Sequence, residues 1–180
     1  MENRAFDGPR FCPECASELV LSRPAHGEPA CPRCGYVRFR SPTVGVAVVL
    51  QDRHGRVLMG RRAGGRYAGL WCIPCGNLEW DEDVRDAAAR EFLEETGLEV
   101  KVGDVVAVHS NDHPPRDVDG KHYPERQTVG IWFRGHLMGG HLHPADGELS
   151  DLQYVDPANP PELAFPTDGL VLAQLAALRQ

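Results

Sequence analysis

The chain has 180 residues, which suffices for one ordinary domain or for one domain with a small appendage. Nineteen basic against twenty-six acidic residues give a formal net charge of −7, whereas bulk DNA, RNA and anionic lipid reward a basic surface. We therefore expect neither DNA binding nor membrane binding. The opening residues carry no apolar leader and no apolar run is long enough to cross a bilayer, so we expect a cytoplasmic protein.

Four of the six cysteines form two C-x-x-C pairs near the start of the chain, Cys12/Cys15 and Cys31/Cys34. Fifteen residues separate Cys15 from Cys31, a spacing typical of a four-cysteine zinc ribbon. Four thiolates complete a tetrahedral shell and leave no open position for chemistry, so the predicted Zn²⁺ is structural. We assign this ribbon to residues 1–40 and expect it to serve packing or dimerisation, so a homodimer is one expectation.

From residue 41 to residue 180 the pattern is that of a second domain with mixed elements. In chain order the sequence predicts a hairpin over 43–62, a helix over 82–96, one or two strands over 98–109, a polar loop over 110–126, strands over 127–137 and 152–156, and a helix from 167 onward. Strands outnumber helices and the order is mixed, which indicates an α/β or α+β sandwich.

The third C-x-x-C pair, Cys72 and Cys75 in "LWCIPCG", is spelled like a thioredoxin-type redox centre. Such pairs open a helix, which lowers the pKa of the first thiol, whereas this pair lies in an extended segment. Along one strand the two thiols would point to opposite faces, because three steps is an odd number. The pattern therefore favours neither thiol redox chemistry nor a metal shared by the two sulfurs.

The predicted helix carries carboxylates on its apolar face. At about 100° per residue, four apolar side chains gather on one side: Val84, Ala87, Ala88 and Phe92. Glu91 and Glu95 project into that stripe and Glu94 sits at its edge, so they need cations or a cleft. Glu82 lies at the head of the helix, and Arg90 is four residues before Glu94. All-oxygen clusters of this kind suit Mg²⁺ or Mn²⁺.

The stretch "GNLEWDEDVRDAAAREFLEETGL", residues 76–98, resembles the Nudix box, G-x5-E-x7-R-E-U-x-E-E-x-G-U with U apolar. Every defined position is present: Gly76, Glu82, Arg90, Glu91, Phe92, Glu94, Glu95, Gly97 and Leu98. The resemblance implies an α/β/α sandwich with a mixed sheet over residues 41–180, preceded by the ribbon. It also implies a hydrolase that cleaves a nucleoside diphosphate linked to another group and depends on Mg²⁺ or Mn²⁺.

By the same resemblance, the metal ligands are expected to be Glu91 and Glu95, with Glu94 joining them or supporting them. The backbone carbonyl of Cys75, just before the first glycine of the box, is expected to complete the shell. Arg90 is expected to hold the cluster in register.

A second set of roles concerns water and the proton. The resemblance implies that Glu82 orients water or binds a second metal. The base that takes the proton lies within the box in some family members and on a later loop in others. Here the later candidates are Glu148, which we favour, and Glu125.

The substrate is predicted more coarsely. A zinc ribbon before a Nudix domain resembles NADH pyrophosphatases that also remove NAD caps from RNA, but this chain lacks their Q-P-W-P-F-P-x-S sequence. The "LAF" at residues 163–165 is similar to FAD and ADP-ribose pyrophosphatases. We expect a substrate such as ADP-ribose, FAD or NADH, or a nucleotide sugar. The alternatives are a hydrolase of nucleoside triphosphates and a regulator that binds ADP-ribose-like ligands without cleaving them.

Overall fold

The computed structural model describes residues 10–21, 28–39 and 41–178. The chain divides into two compact units, residues 1–41 and residues 42–180. Within the described part of the chain, no helix is both long and apolar enough to cross a membrane.

The smaller unit contains a short antiparallel ladder and a minimal core. Its strands are β1 (Val20–Leu21) and β2 (Pro29–Ala30). The buried apolar residues are Cys12, Leu19 and Cys31, and two of these three are cysteines. Such a core is too small to stabilise a fold by itself, which is the usual situation of small metal-stabilised modules.

The larger unit is built from nine strands and two helices among its described residues. The strands are β3 (Thr43–Leu50), β4 (Val57–Arg62), β5 (Trp71–Cys72), β6 (Cys75–Asn77), β7 (Leu98–His113), β8 (Arg116–Val118), β9 (Lys121–Tyr123), β10 (Arg126–Gly140) and β11 (Leu149–Val155). The helices are α1 (Val84–Thr96) and α2 (Pro166–Ala177), and a single 3₁₀ turn spans Gly65–Tyr67.

The strands form a mixed four-stranded sheet, β6-β3-β10-β7, and a three-stranded sheet, β11-β4-β5. Strands β3 and β10 run parallel, whereas β10 with β7 and β3 with β6 run antiparallel. The three-stranded sheet is antiparallel throughout. Strands β8 and β9 form a separate hairpin between the long strands β7 and β10.

The core shows that the two helices cover opposite faces of the four-stranded sheet. Val46 and Val48 of β3 pack in one cluster with Phe92 of α1. Ala47 and Val49, which alternate with them, pack in a second cluster with the buried residues of α2. Because successive side chains of a strand point to opposite faces, this division confirms the predicted α/β/α sandwich with a mixed sheet.

Helix α1 has a defined signal at each end. The Asp83 side chain caps its start by accepting a hydrogen bond from the Arg85 backbone N–H at 2.8 Å. Gly97 ends it in the left-handed conformation, with φ 70°, and its N–H donates to the Leu93 carbonyl. The observed start lies two residues after the predicted one, since Asp83 serves as the cap.

Two details of the prediction are wrong. Strands form at both ends of the region 43–62 and a tight turn with one antiparallel bridge, Gln51–Val57, joins them, but beyond that bridge they do not pair as a hairpin. Both edges of β3 are occupied, by β6 and by β10, so β4 joins the other sheet. The predicted polar loop over 110–126 is also ordered, because β7 continues to His113 and β8–β9 follow. Asp119 and Gly120, both with positive φ, form the turn that an Asp-Gly pair favours.

A buried carboxylate fastens α2 to the four-stranded sheet and to the segment that joins β5 to β6. Asp168, 1% exposed, accepts hydrogen bonds from the Ile73 backbone N–H and from Trp132 Nε1, each at 3.0 Å. Burial raises the pKa of Asp168 to about 7, although both hydrogen bonds favour the ionised form. The segment between β5 and β6 is therefore anchored from α2.

Substitution of the α1 core residue tests this packing. We expect Phe92→Ala to lower the free energy of unfolding of the larger unit by about 3–5 kcal/mol, since Phe92 is 1% exposed. Urea unfolding followed by tryptophan fluorescence measures the change, because all three tryptophans lie beyond residue 42.

The matched control is Leu93→Ala on the next residue, which is 44% exposed and should change stability by less than about 1 kcal/mol. Equal losses in the two variants would contradict the assignment of Phe92 to the core.

Candidate active site

A cleft of about 490 Å³ opens in the larger unit. Its walls come from β3, β6, β10, the 3₁₀ turn, the end of β7 and the start of α2. Its charged side chains are Arg62, Arg66, Arg126, Glu91, Glu148 and Asp168, and its ring-bearing side chains are Tyr67, His113, Tyr123, Trp132 and Phe165. A concave site of this size with a few convergent polar groups is suited to a small ligand.

Glu91 lies against the backbone of β6. Its side chain is 19% exposed and borders the cleft. A Cβ built on Gly76 would overlap the Glu91 carboxyl group, so only glycine permits this approach. Burial raises the pKa of Glu91, against a lowering by the neighbouring Arg90.

Glu95 is 1% exposed, in keeping with the helical spacing that placed it on the apolar face. Its Oε2 accepts a hydrogen bond from the Cys75 backbone N–H at 2.8 Å. Its Oε1 is also buried and has no hydrogen-bond partner among the described residues. Burial raises the pKa of Glu95 well above its usual value, because the charged form lacks solvent. A cation or a proton at Oε1 would offset this cost.

Arg90 binds three carboxylates, two on α1 and one on the segment just before it. Its Nε and Nη2 donate to the two oxygens of Glu82 at 2.8 and 2.9 Å. Its Nη1 donates to Glu91 Oε1 at 3.0 Å and to Glu94 Oε2 at 3.1 Å. The hydrogen bonds from Arg90 lower the pKa of Glu82, so this carboxylate stays ionised. Arg90 therefore fixes the geometry of the cluster.

These residues fit a divalent cation that prefers oxygen ligands. The two supporting observations are the unpaired Oε1 of Glu95 and the Glu91 carboxylate seated on Gly76. Among the described residues, the N-terminal cysteines are the only group in which three or more His, Cys, Asp or Glu ligand atoms lie within 4.8 Å of one another. The carboxylates of the helix do not form so compact a group.

The two later carboxylates considered from the sequence lie differently. Glu148 borders the cleft, and its charge contributes to the raised pKa of Glu91. Its N–H donates to Asp146 Oδ1 at 2.8 Å, and its carbonyl accepts from the Ala63 N–H at 2.9 Å, which fixes its backbone. Glu125 follows the β8–β9 hairpin and is not among the residues described as lining the cleft.

One buried polar network borders the cleft. His113 is 2% exposed and lies 2.8 Å through Nδ1 from the Tyr67 hydroxyl and 3.0 Å through Nε2 from Thr128 Oγ1. Burial lowers the pKa of His113 to about 4, so its ring is neutral at pH 7. No local motif in the sequence marks Tyr67, Thr128 or Asp168, because these residues reach the cleft only through folding.

The Cys72/Cys75 pair lies close together, contrary to the expectation from a single strand. Cys72 ends β5 and Cys75 begins β6, so the chain changes sheets between them. A hydrogen bond with the Cys72 side chain, followed by burial, raises the pKa of the Cys75 thiol well above its usual value. The pair lies at the junction between two strands and does not open a helix, unlike the cysteines of a thioredoxin-type centre.

The N-terminal cysteines form a second candidate centre. The sulfur atoms of Cys12, Cys15, Cys31 and Cys34 all lie within 4.8 Å of one another. Each C-P-x-C turn closes alike: the Ala16 N–H donates to the Cys12 carbonyl at 2.9 Å, and the Gly35 N–H donates to the Cys31 carbonyl at 3.0 Å.

The residue after each pair has a positive φ, 57° for Ala16 and 78° for Gly35. Hydrogen bonds from the side chain and backbone of Ser17 lower the pKa of Cys15 to about 6. This arrangement could hold a metal ion that prefers thiolate ligands.

Comparisons with known proteins agree with the fold and the box. The chain is 29% identical to the ADP-ribose pyrophosphatase of Methanocaldococcus jannaschii over 136 residues, 76% of this chain and 75% of that protein. It is 28% identical to the NAD-capped RNA hydrolase NudC of Chromobacterium violaceum over 161 residues, 89% of this chain but only 55% of that protein.

A solved NUDIX hydrolase from Nitrosomonas europaea is similar over 95% of this chain and 92% of its own, with a TM-score of 0.73 and 25% identity. The NUDIX domain model matches residues 41–175, which include the whole box and every lining residue of the cleft. The resemblance inferred from residues 76–98 is thereby confirmed, and the chain belongs to the NUDIX family.

Proposed function

We propose that the protein is a metal-dependent pyrophosphohydrolase that cleaves a nucleoside diphosphate linked to another group. The observation that carries this proposal is the pairing of Glu91 and Glu95 with the Cys75–Gly76 backbone. One carboxylate is seated on a glycine, and the other is buried with an unpaired oxygen. Keeping a carboxylate so desolvated is costly in free energy, and a bound divalent cation offsets that cost.

The ligands proposed for Mg²⁺ or Mn²⁺ are Glu91, Glu95 and the Cys75 carbonyl, with Glu94 in support and Glu82 orienting water. When bound, the cation supplies positive charge that offsets the diphosphate and makes water a better nucleophile. Arg90 keeps the carboxylates in place through its four charge-assisted hydrogen bonds.

Three further side chains of the cleft have proposed roles in the reaction. Arg62 and Arg126 line the walls and can pair with diphosphate oxygens, which orients the scissile bond. Glu148 accepts the proton that the attacking water releases, since it borders the cleft near Glu91. Bond cleavage then yields two phosphate-bearing products.

The proposed substrate class is ADP-ribose or a related dinucleotide such as FAD or NADH. Two relatives support it by name, an ADP-ribose pyrophosphatase and an NAD-capped RNA hydrolase. The chain spans about three quarters of the first and about half of the second. We further propose a cytoplasmic protein whose residues 1–40 form a zinc ribbon and whose residues 41–180 form the hydrolase domain.

The metal-site assignment is tested by isosteric substitutions. We expect Glu91→Gln and Glu95→Gln each to lower kcat for Mg²⁺-dependent ADP-ribose hydrolysis by about 100-fold or more, because an amide is a poorer cation ligand. Glu99→Gln, an exposed change just after α1, is the control and should retain activity.

Steady-state kinetics over ADP-ribose, FAD, NADH and nucleoside triphosphates, with products resolved, provides the measurement. Wild-type kcat in either box variant would rule out the site. A preference for nucleoside triphosphates would identify the protein as a hydrolase of nucleoside triphosphates. Binding of ADP-ribose without turnover would indicate a regulator.

Two glycine-to-alanine substitutions test the close approach of the Glu91 carboxyl group to β6. We expect Gly76→Ala to reduce kcat by about 100-fold, because its Cβ displaces the Glu91 carboxyl group. The control is Gly64→Ala, since a Cβ there has no described heavy atom within 4 Å and its φ is −157°. Comparable activity of the two variants would show that the contact between Gly76 and Glu91 is dispensable.

Metal analysis tests the ribbon. We expect about one Zn²⁺ per chain in freshly purified, reduced protein, and we expect Cys12→Ser/Cys31→Ser to abolish it. The matched variant Cys72→Ser/Cys75→Ser should keep its zinc. Absence of zinc from the reduced wild type would refute the zinc ribbon.

A further inference from the structure

Arg66 connects two segments that both line the cleft. It lies in the 3₁₀ turn Gly65–Tyr67, and its Nη1 and Nη2 donate to the carbonyls of Pro114 and Pro124 at 3.1 and 2.7 Å. These prolines flank the β8–β9 hairpin on its two sides. One planar guanidinium therefore ties both ends of the hairpin to the 3₁₀ turn.

Aromatic rings enclose the same guanidinium. The Tyr123 ring centroid lies 5.5 Å from Arg66 Cζ, and the Tyr67 centroid lies 6.0 Å from it. Contacts at these distances add cation–π attraction to the two hydrogen bonds. Tyr67 also contacts Phe165 edge-on, with centroids 5.2 Å apart, so the tie continues into the aromatic wall of the cleft.

This aromatic end is separated from the carboxylate end by the width of the sheet. Gly76 belongs to β6 at one edge of the order β6-β3-β10-β7, and His113 ends β7 at the other edge. Both residues line the same cleft. A ligand held by Glu91 and Glu95 can thus extend over β3 and β10 toward the hairpin.

The chemistry of the aromatic end suits a planar ring with polar edges. Tyr67, Tyr123 and Phe165 provide π surfaces. Asn111 and Thr128, both half-buried, lie on the same wall and provide hydrogen-bonding groups, whereas both ring nitrogens of the buried His113 are engaged by Tyr67 and Thr128. A nucleobase combines these two properties.

We propose that Arg66 is a positioning residue that fastens the β8–β9 hairpin at the cleft, through Pro114 and Pro124, and so shapes the subsite for the nucleobase of the substrate. The identity of the ligand rests on the proposed function, whereas the hydrogen bonds of Arg66 to the ends of the hairpin do not. Arg66 acts on the base through Tyr67 and Tyr123, and it stands apart from the proposed metal ligands.

The test compares wild type, Arg66→Lys and Arg85→Lys. Lysine keeps the charge but cannot hold two carbonyls in one planar fork. Arg85 lies 5.3 Å over the Phe133 ring, outside the cleft. The control substitution Arg85→Lys therefore changes an arginine with a similar ring contact but no part in the cleft. Hydrogen exchange should be about tenfold faster in residues 116–123 of Arg66→Lys alone, since two charge-assisted hydrogen bonds are weakened.

Steady-state kinetics then distinguishes the loss of a nucleobase subsite from a general loosening of the cleft. We expect Arg66→Lys to raise KM for ADP-ribose about tenfold with kcat nearly unchanged. KM for 5-phosphoribosyl diphosphate, which has a diphosphate and a ribose but no base, should not change. An equal change for both substrates, or for neither, would overturn the proposal.

A binding measurement keeps the inference distinct from the proposed function. If the wild type hydrolyses neither compound, the proposed function fails, and calorimetric titration with AMP decides the inference alone. We expect AMP to bind the wild type and to bind Arg66→Lys about tenfold more weakly. Equal affinity, or no binding to the wild type, would overturn the assignment of the subsite.

Discussion

The hydrogen bond from the Cys75 backbone N–H to Glu95 is the contact on which the site depends. It joins α1 to β6 and keeps a carboxylate inside the apolar core, where an unpaired charge would be prohibitive. Asp168 anchors the preceding segment through the Ile73 N–H, so α2 also supports this contact. The helices on both faces of the sheet therefore converge on the backbone beside the cleft.

The box and its helix could be predicted from the sequence because their information is local. The spacing of Glu91 and Glu95 relative to Phe92 defines a helix face, and that face is found buried. The pairing of β3 with β10 and β6 could not be predicted, since it depends on which distant strands occupy its edges. The Asp-Gly turn at residue 119 was a local signal that the interpretation of 110–126 as a loop overlooked.

The cysteine pair beside the box has the sequence motif of a redox centre but not its structural environment. Cys72 and Cys75 have the spacing of a redox centre, but they lie at the junction between two strands and do not open a helix. It is the backbone of Cys75, rather than its sulfur, that contacts Glu95. The N-terminal cysteines differ, because four sulfur atoms converge within 4.8 Å of one another.

The most direct test of the central claim is Mn²⁺ binding followed by electron paramagnetic resonance. Wild-type protein should bind Mn²⁺ saturably and release it to excess Mg²⁺, because Glu91 and Glu95 provide hard oxygen ligands. The substitution Glu95→Gln should abolish that binding while the fold remains intact. Unchanged Mn²⁺ affinity in folded Glu95→Gln would contradict the claim that the buried carboxylate is held in place for a metal ion.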